Sequence, residues 1–223
     1  MSRNATKDLT TGSPMKLILG FGIPLLFGML FQQFYNMMDT IIVGKFLGVS
    51  ALASVGATGS INFMIIGFCM GVCNGFAIPV AQRFGAKDEH GMRKFVANSV
   101  WLSIIFAVVM AVLVCVFCRQ ILELMNTPED IIDGSYSYIF VIFLGIPATY
   151  MYNLLSGIMR SLGDSKTPLY LLIFSSILNI ILDLLSIIVL KMGVAGAAWA
   201  TVIAQAVSGF CCLGVIWKKF PIL

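Results

Sequence analysis

The chain has 223 residues, and its composition excludes most classes of soluble protein. Apolar residues make up 59% of the chain and charged residues 11%, whereas soluble domains carry roughly 25% charged residues, and the net charge is only +4. With a mean hydropathy of +0.98, a water-soluble fold would have a largely apolar surface. These values exclude disorder, a disulfide-rich secreted scaffold and an ordinary cytosolic enzyme, and leave an integral membrane protein.

Six apolar stretches follow one another along the chain, and each reaches the roughly 20 residues that a membrane-spanning helix needs. They cover residues 15–43, 51–82, 96–118, 131–159, 168–190 and 194–217. None shows the alternating polarity that strands of a membrane β-barrel have. The sequence therefore predicts an all-α membrane protein, a bundle of six transmembrane helices.

The two ends and the basic residues predict how this bundle is organised and oriented. We expect a cytoplasmic tail at 1–14, a six-helix transmembrane lobe at 15–217 and a cytoplasmic end at 218–223. Eleven of the 14 Lys and Arg residues fall in the two ends and in the loops on the same side of the bundle. Because cytoplasmic loops are enriched in such residues, both termini are predicted to be cytoplasmic, in the plasma (inner) membrane.

The segments between the spans are short, about a dozen residues at most, and leave no room for a nucleotide-binding domain. No phosphate-binding glycine motif, HExxH motif or nucleophile–base arrangement occurs. The basic residues are too dispersed for a nucleic-acid site. We therefore predict a protein that is not an enzyme, has no cofactor and acts within or across the bilayer, in contact with membrane lipids.

Two carboxylates interrupt the apolar spans, Asp39 in the first and Asp183 in the fifth. A carboxylate at the centre of a span costs about 2.5–3.5 kcal/mol on insertion scales, so such residues are seldom structural filler. No Lys or Arg within a span is placed to neutralise either one. Each acid is therefore predicted to take up a proton, bind a cation or face water.

Other polar residues share helix faces with these acids. Residues three or four apart lie on one helix face: Gln32 and Asn36 with Asp39, Asn179 with Asp183, and Thr201 with Gln205. Because such faces are unfavourable against lipid, we expect the three helices to turn them inward around a common wet cavity. Oxygen ligands suit a proton or Na⁺ rather than a soft transition metal. Taken singly, Asn36, Gln205 and Asn153 also fit a structural role in bonding helices together.

A proline and three glycines have special positions in the first two spans. Pro24 removes a backbone hydrogen bond in the first half of span one and predicts either a static kink or a hinge that responds to the charge on Asp39. Gly67, Gly71 and Gly75 recur every four residues in span two and predict close helix packing.

A set of short motifs, spread over the chain in a fixed order, resembles the N-terminal lobe of the multidrug and toxic compound extrusion (MATE) transporters, in particular the DinF-like and archaeal branch. The motifs are Pro24-Leu25, Gln33, Tyr35-Asn36 and Met38 to Gly44 in span one, Ala81 to Lys87 after span two, Met159 to Pro168 before span five, Asn179 and Asp183 within it, and Gly193 to Ala198 with Ala200-Thr201 in span six. The resemblance covers nearly the whole chain.

The resemblance implies a twelve-helix transporter of two six-helix lobes that exchanges protons or sodium for small organic, often cationic compounds by alternating access. It implies a cation site, for H⁺ or Na⁺, formed by Asp39, Asn179, Asp183 and Thr201 with Tyr138, and it makes Pro24 the bending residue. We further expect Gln32, Asn36 and Asn153 to line the compound cavity.

The chain has about half the length of that family, so we expect either one lobe of a longer protein or a half-transporter that pairs with a second six-helix lobe. Two other interpretations remain open. One is a flippase of lipid-linked saccharides in the same superfamily, although the spans lack the cationic residues that a pyrophosphate needs. The other is a lobe without transport activity that acts only in assembly.

Overall fold

The computed structural model describes residues 12–220, which are helical almost throughout. The helices are α1 (Pro14–Leu47), α2 (Val49–Gly85), α3 (Glu89–Val116), the short α4 (Cys118–Leu124), α5 (Ile132–Leu144), α6 (Ile146–Ser161), α7 (Lys166–Leu184) and α8 (Gly193–Lys219). A π-helical turn, Leu185–Val189, continues α7. Most of the predicted tail at 1–14, and residues 221–223 of the predicted end, lie outside the described residues.

Five helical segments are long and apolar enough to cross a membrane, and α5 with α6 forms a sixth span that is bent by 46°. The bend lies at Gly145, between the two helices. Pro147 contributes to it, because proline has no N–H to bond the carbonyl group four residues earlier. The predicted bundle of six spans is thus confirmed, with a break in the fourth span that the prediction lacked.

Local sequence explains several helix ends. α1 begins with Pro14 at a first-turn position, where the missing N–H has no intrahelical acceptor anyway. It is followed by the capping residue Gly48, whose φ of +88° favours glycine. α3 is preceded by the N-cap residue Asp88, whose carboxylate accepts a hydrogen bond of 2.8 Å from the backbone N–H of Gly91. Each of these residues begins or ends a helix locally, so the polar turns between the long apolar helices are short.

The core lies where α8 packs against α5, α6 and α7, and where α2 and α3 pack against α6. The inner face of α8 is made of small buried residues, Ala197, Ala198, Ala200 and Ala204 among them, which let neighbouring helices approach closely. Large apolar side chains such as Trp101 and Trp217 are exposed, as expected for helices that face lipid. Helices therefore approach α8 through small residues, and the exterior of the bundle is apolar.

α1 and α2 leave parts of their surfaces without a partner in the described chain. The buried residues of α1 all lie in its second half, from Tyr35 onward. On α2, a Cβ atom added at Gly67, Gly71 or Gly75 would meet no atom within 4 Å. Helix packing within residues 12–220 does not use the predicted glycine face.

Candidate functional site

Asp39 and Asp183 come together inside the bundle. Asp39 projects from α1 and Asp183 from the last turn of α7, and both are buried, with 9% and 0% of their surfaces exposed. Their carboxyl groups are close enough to interact directly. Apart from each other, Oδ1 of Asp39 and both oxygens of Asp183 have no hydrogen-bond partner among the described residues. Two unneutralised carboxylates in such a place are unfavourable unless a proton or a cation lies between them.

A hydrogen-bond network surrounds this acid pair. Thr201 of α8 accepts hydrogen bonds at its Oγ1 atom from the Tyr35 hydroxyl and from Asn179 Nδ2, each at 3.2 Å. Because Thr201 accepts twice, its own hydroxyl proton is free to be donated. Asn179 is fully buried, and its Oδ1 atom has no partner among the described residues. The network therefore presents oxygen atoms that are available to a cation or to water.

Tyr138 completes the group from α5. Its side chain is buried and lies close enough to Asp39, Asp183 and Tyr35 to interact with them. The predicted cation-site residues Asp39, Tyr138, Asn179, Asp183 and Thr201 thus lie in one region, which we call the acid cluster together with Tyr35.

Sequence reasoning missed Tyr35 as a site residue. It lies one helical turn before Asp39 and therefore on the same face of α1. The spacing could be seen in the sequence, but a tyrosine in an apolar span indicates a functional site less strongly than an acid or an amide does.

The π-helical turn gives the end of α7 an irregular backbone next to the acid cluster. It begins two residues after Asp183, and Ser186 in this turn donates a hydrogen bond of 3.2 Å to the Asp183 carbonyl oxygen. π-turns inside α-helices are rare and frequently occur at functional sites. The turn thus directly follows the more deeply buried of the two acids.

The residues predicted to line the compound cavity are not brought together. Gln32 is half-buried on α1, and Asn36 is exposed there, with its Nδ2 atom 3.4 Å from Gln33 Oε1. Asn153 lies on α6, and its Nδ2 atom donates to the Thr149 carbonyl oxygen at 2.8 Å. It lines a cleft between α2 and α6, which we call the sulfur-lined cleft, formed by Ile66, Cys69, Met70, Cys73, Ile146, Thr149, Tyr150 and Asn153.

Pro24 lies inside α1, which continues as a helix on both sides of it. It is half-buried and belongs to the half of α1 that contributes no buried residue. The second half of α1 carries Tyr35 and Asp39. A bend at Pro24 would therefore separate a part of α1 that is held in the bundle from a part that is not.

Comparisons with known proteins agree with this architecture. The MatE family model matches residues 24–185. A probable multidrug resistance protein of Bacillus subtilis, YoeA, is 35% identical over 205 residues, which cover 89% of this chain and 44% of that protein. The solved structure of a MOP superfamily transporter from Pyrococcus furiosus superposes with a TM-score of 0.89 at 28% identity, over 100% of this chain and 49% of that one.

A further relative has a different substrate in its name. A FAD transporter of Shewanella oneidensis is 23% identical over 203 residues, which cover 87% of this chain and 45% of that protein. The chain thus spans about half the length of the curated relatives it matches.

Proposed function

This chain belongs to the MatE family, and we propose that it is one six-helix lobe of a cation-coupled exporter of small organic compounds. MatE proteins are membrane transporters and not enzymes. The acid cluster is the observation that carries the proposal, because it places two carboxyl groups, with almost no other partners, inside the bundle. In this proposal the cation, H⁺ or Na⁺, binds at Asp39, Asn179, Asp183 and Thr201, with Tyr138 beside them.

Coupling follows from the charge of the acid pair. A ligand shifts a conformational equilibrium only by its different affinity for the two states. When the pair holds its cation, α1 can pack Asp39 against Asp183; when the pair is empty, two like charges repel each other in a medium of low dielectric. Pro24 is the point at which α1 bends in response to this change in charge. The exported compound binds to the conformation that the empty pair favours.

A second six-helix lobe completes the transporter in this proposal. The chain spans 44% of the Bacillus relative, so the relative has room for another unit of this size. The first half of α1 contributes no buried residue, and an added Cβ atom on the Gly67, Gly71 and Gly75 face of α2 would meet no atom of the described chain within 4 Å. We propose that these surfaces face the second lobe, with the compound bound between the lobes near Gln32 and Asn36.

Orientation and location follow the distribution of basic residues. We propose that the transporter lies in the plasma (inner) membrane and that both ends of this chain are cytoplasmic. The described end of α8 fits this arrangement. It carries Lys218 and Lys219 and lies on the side of the bundle where Arg160 and Lys166 flank the α6–α7 turn.

The test replaces each buried acid in the intact transporter, that is, this chain together with its second lobe. Asp39→Asn and Asp183→Asn keep the side-chain volume and remove the charge, so we expect export of a fluorescent organic cation from cells to be abolished at normal expression. Asp133→Asn is the matched control, because that acid is exposed on α5, 3.8 Å from Arg119. Export at the wild-type rate in either buried-acid variant would contradict the proposal.

A flippase of lipid-linked saccharides is the second candidate, and the acid cluster argues against it. A pyrophosphate needs cationic side chains, whereas this lobe presents carboxyl, amide and hydroxyl groups at its buried polar centre. A lobe that acts only in assembly has no use for a buried acid pair. That interpretation predicts that Asp183→Asn is silent in export and stabilises the fold.

A further inference from the structure

Sulfur atoms gather on one wall of the sulfur-lined cleft. Cys69, Met70 and Cys73 of α2 all line it. With Ile66 they occupy one helix face, because residues three or four apart point the same way. The opposite wall is a stripe of α6 at positions 146, 149, 150 and 153. Three sulfur-bearing side chains of a single helix therefore face one space.

The cleft has room for an ion beside these sulfur atoms. It encloses about 200 Å³ of empty space, its open mouth included. Cys69 and Cys73 are buried, with 5% and 4% of their surfaces exposed, whereas Met70 is 42% exposed. Met70 therefore lies at the mouth and the two cysteines lie deeper, so an ion that enters the cleft meets the thioether first and the thiols afterwards.

The spacing of the two thiols suits one bridging ion. Side chains four residues apart on a helix have Cβ atoms about 5–6 Å apart. Two metal–sulfur bonds of about 2.3 Å, the length of a zinc–thiolate bond, together span about 4.6 Å. Cys69 and Cys73 are close enough to interact electrostatically, and both thiols are free. Their sulfur atoms can therefore reach the same ion without a change in the helix backbone.

The chemistry of the lining selects a soft cation. Thiol and thioether sulfur atoms favour soft ions such as Cu(I), whereas Mg²⁺ and Ca²⁺ favour carboxylate oxygens. The eight residues that line the cleft include two thiols and a thioether but no Asp, Glu or His. Two or three sulfur ligands suffice for a soft monovalent cation, whereas structural zinc sites use four ligands.

We infer that Cys69, Met70 and Cys73 form a binding site for a soft monovalent metal cation of the Cu(I) and Ag(I) class. The site does not depend on the proposed function, because none of its three ligands belongs to the acid cluster. It gives the sulfur-lined half of the lobe a ligand preference opposite to that of the acid cluster, where the available atoms are oxygens.

Binding releases one proton and leaves the site neutral. The Cys73 thiol donates a weak hydrogen bond to the Tyr150 carbonyl oxygen, 3.9 Å away, and keeps its sulfur lone pairs free. Cys69 is therefore the ligand that is deprotonated: its S–H bond breaks, the proton passes to water, and the thiolate electron pair forms the metal–sulfur bond. Met70 and Cys73 each donate a lone pair, and nothing is oxidised or reduced. One thiolate and one monovalent cation sum to zero charge, which an apolar interior favours.

The test measures silver binding by the intact transporter, this chain together with its second lobe, in detergent. Ag(I) is the probe because it shares the ligand preference of Cu(I) and needs no reductant. Dialysis against Ag(I) in an excess of glutathione, a monothiol, suppresses binding at single cysteines, since only several converging sulfur ligands compete with it. Wild type should retain one more silver ion than Cys69→Ser, and its silver X-ray absorption spectrum should show sulfur neighbours.

The three ligands should differ in their effect on affinity. Cys69→Ser removes the charged ligand, so half-saturation should need about 100-fold more silver, whereas Cys73→Ser and Met70→Leu each remove one neutral donor and should raise it about tenfold. Met70→Leu keeps the side-chain volume at a partly exposed position, so it provides the measurement should a cysteine variant fail to fold.

Cys212→Ser is the matched control. Its thiol is fully buried and has a cysteine neighbour in Cys211, but it lies on α8 near Ser156 and is not among the residues that line the cleft. Silver binding by this variant should equal that of wild type.

The outcomes decide the site separately from the proposed function. Wild-type silver binding in both Cys69→Ser and Met70→Leu would overturn the site. An equal loss in Cys212→Ser, or a spectrum without sulfur neighbours, would overturn it as well. Each of these results leaves the roles of Asp39 and Asp183 to the export test of the buried-acid variants.

Discussion

The two halves of this lobe both bury unpartnered polar atoms, but among residues 12–220 only one of them buries carboxyl groups. The acid cluster, between α1, α5, α7 and α8, contains Asp39 and Asp183. The other half, between α2, α3 and α6, contains the sulfur-lined cleft together with the unpartnered hydroxyls of Tyr150 and Ser103. A buried neutral hydroxyl without a partner costs about 1–3 kcal/mol, whereas an unpaired buried carboxylate costs far more and must gain a proton or a cation. The unpartnered carboxyl groups are therefore the stronger indication of function.

Because span four bends at Gly145, α5 contributes to the acid cluster and α6 to the sulfur-lined cleft. A Cβ atom added there would lie 2.2 Å from the Val202 side chain of α8, so Gly145→Ala should destabilise the fold by about 3 kcal/mol and impair export. Thermal unfolding in detergent measures the change. Val202→Ala in the same chain should recover part of the loss.

The control for that variant is Gly22→Ala in α1, where an added Cβ atom meets nothing within 4 Å. Alanine is favoured over glycine in a helix by about 1 kcal/mol, so this variant should be as stable as wild type or more so. Equal destabilisation in both variants would show that close approach of α8 at Gly145 is not the cause.

Removing one hydroxyl from each half tests the comparison most directly. Tyr35→Phe breaks the bond to Thr201, which we expect to be worth about 1 kcal/mol, and should slow export about fivefold. Tyr150→Phe removes a hydroxyl that neighbours the neutral side chains of Ser103 and Cys73, so it should leave export unchanged and change stability by no more than about 1 kcal/mol. Initial efflux rates at matched expression measure both effects. Similar losses in the two variants would end the functional distinction between the halves.

The two predicted cavity asparagines now belong to different halves. Asn36→Ala and Asn153→Ala should each raise the KM for some compounds about threefold without changing the maximal rate, since each removes one hydrogen-bonding group. Concentration-dependent efflux of several compounds measures this. An effect of Asn36→Ala alone would confine the compound site to the α1 side and remove the sulfur-lined cleft from it.

The smallest predicted effect belongs to an exposed acid, Asp88, which serves as a reference for the buried pair Asp39 and Asp183. The backbone N–H of Gly91, with Arg83 nearby, lowers the pKa of Asp88 below its usual value. The stability that Asp88 contributes is then present above its unfolded pKa of about 3.9 and is lost as the pH falls through its lower folded pKa. Asp88→Ala should therefore lower Tm slightly at pH 7, with a difference that shrinks in acid. Asp88 also forms an ion pair of 2.9 Å with Arg83, and because both side chains are exposed, salt should weaken it.

Much of this molecule followed from short-range patterns. Composition and run length predicted the six spans, and helical spacing placed Asn36 with Asp39, Asn179 with Asp183 and Thr201 with Gln205 on shared faces of three helices. The combined cation site was implied by the family resemblance. The same spacing rule could also have placed Tyr35 on the helix face of Asp39. These features depend on residues within one helix, whose periodicity is known before any packing is known.

What the sequence determined by itself was the membrane, the helices and the polar face of each one. Only the tertiary structure decided which faces meet: that Asn153 joins the sulfur-lined cleft, that the Gly67, Gly71 and Gly75 face stays open, and that span four bends at Gly145 beneath α8. These features depend on contacts between residues that are distant in the chain. The space available between helices determines such contacts, and the periodicity within one helix carries no information about them.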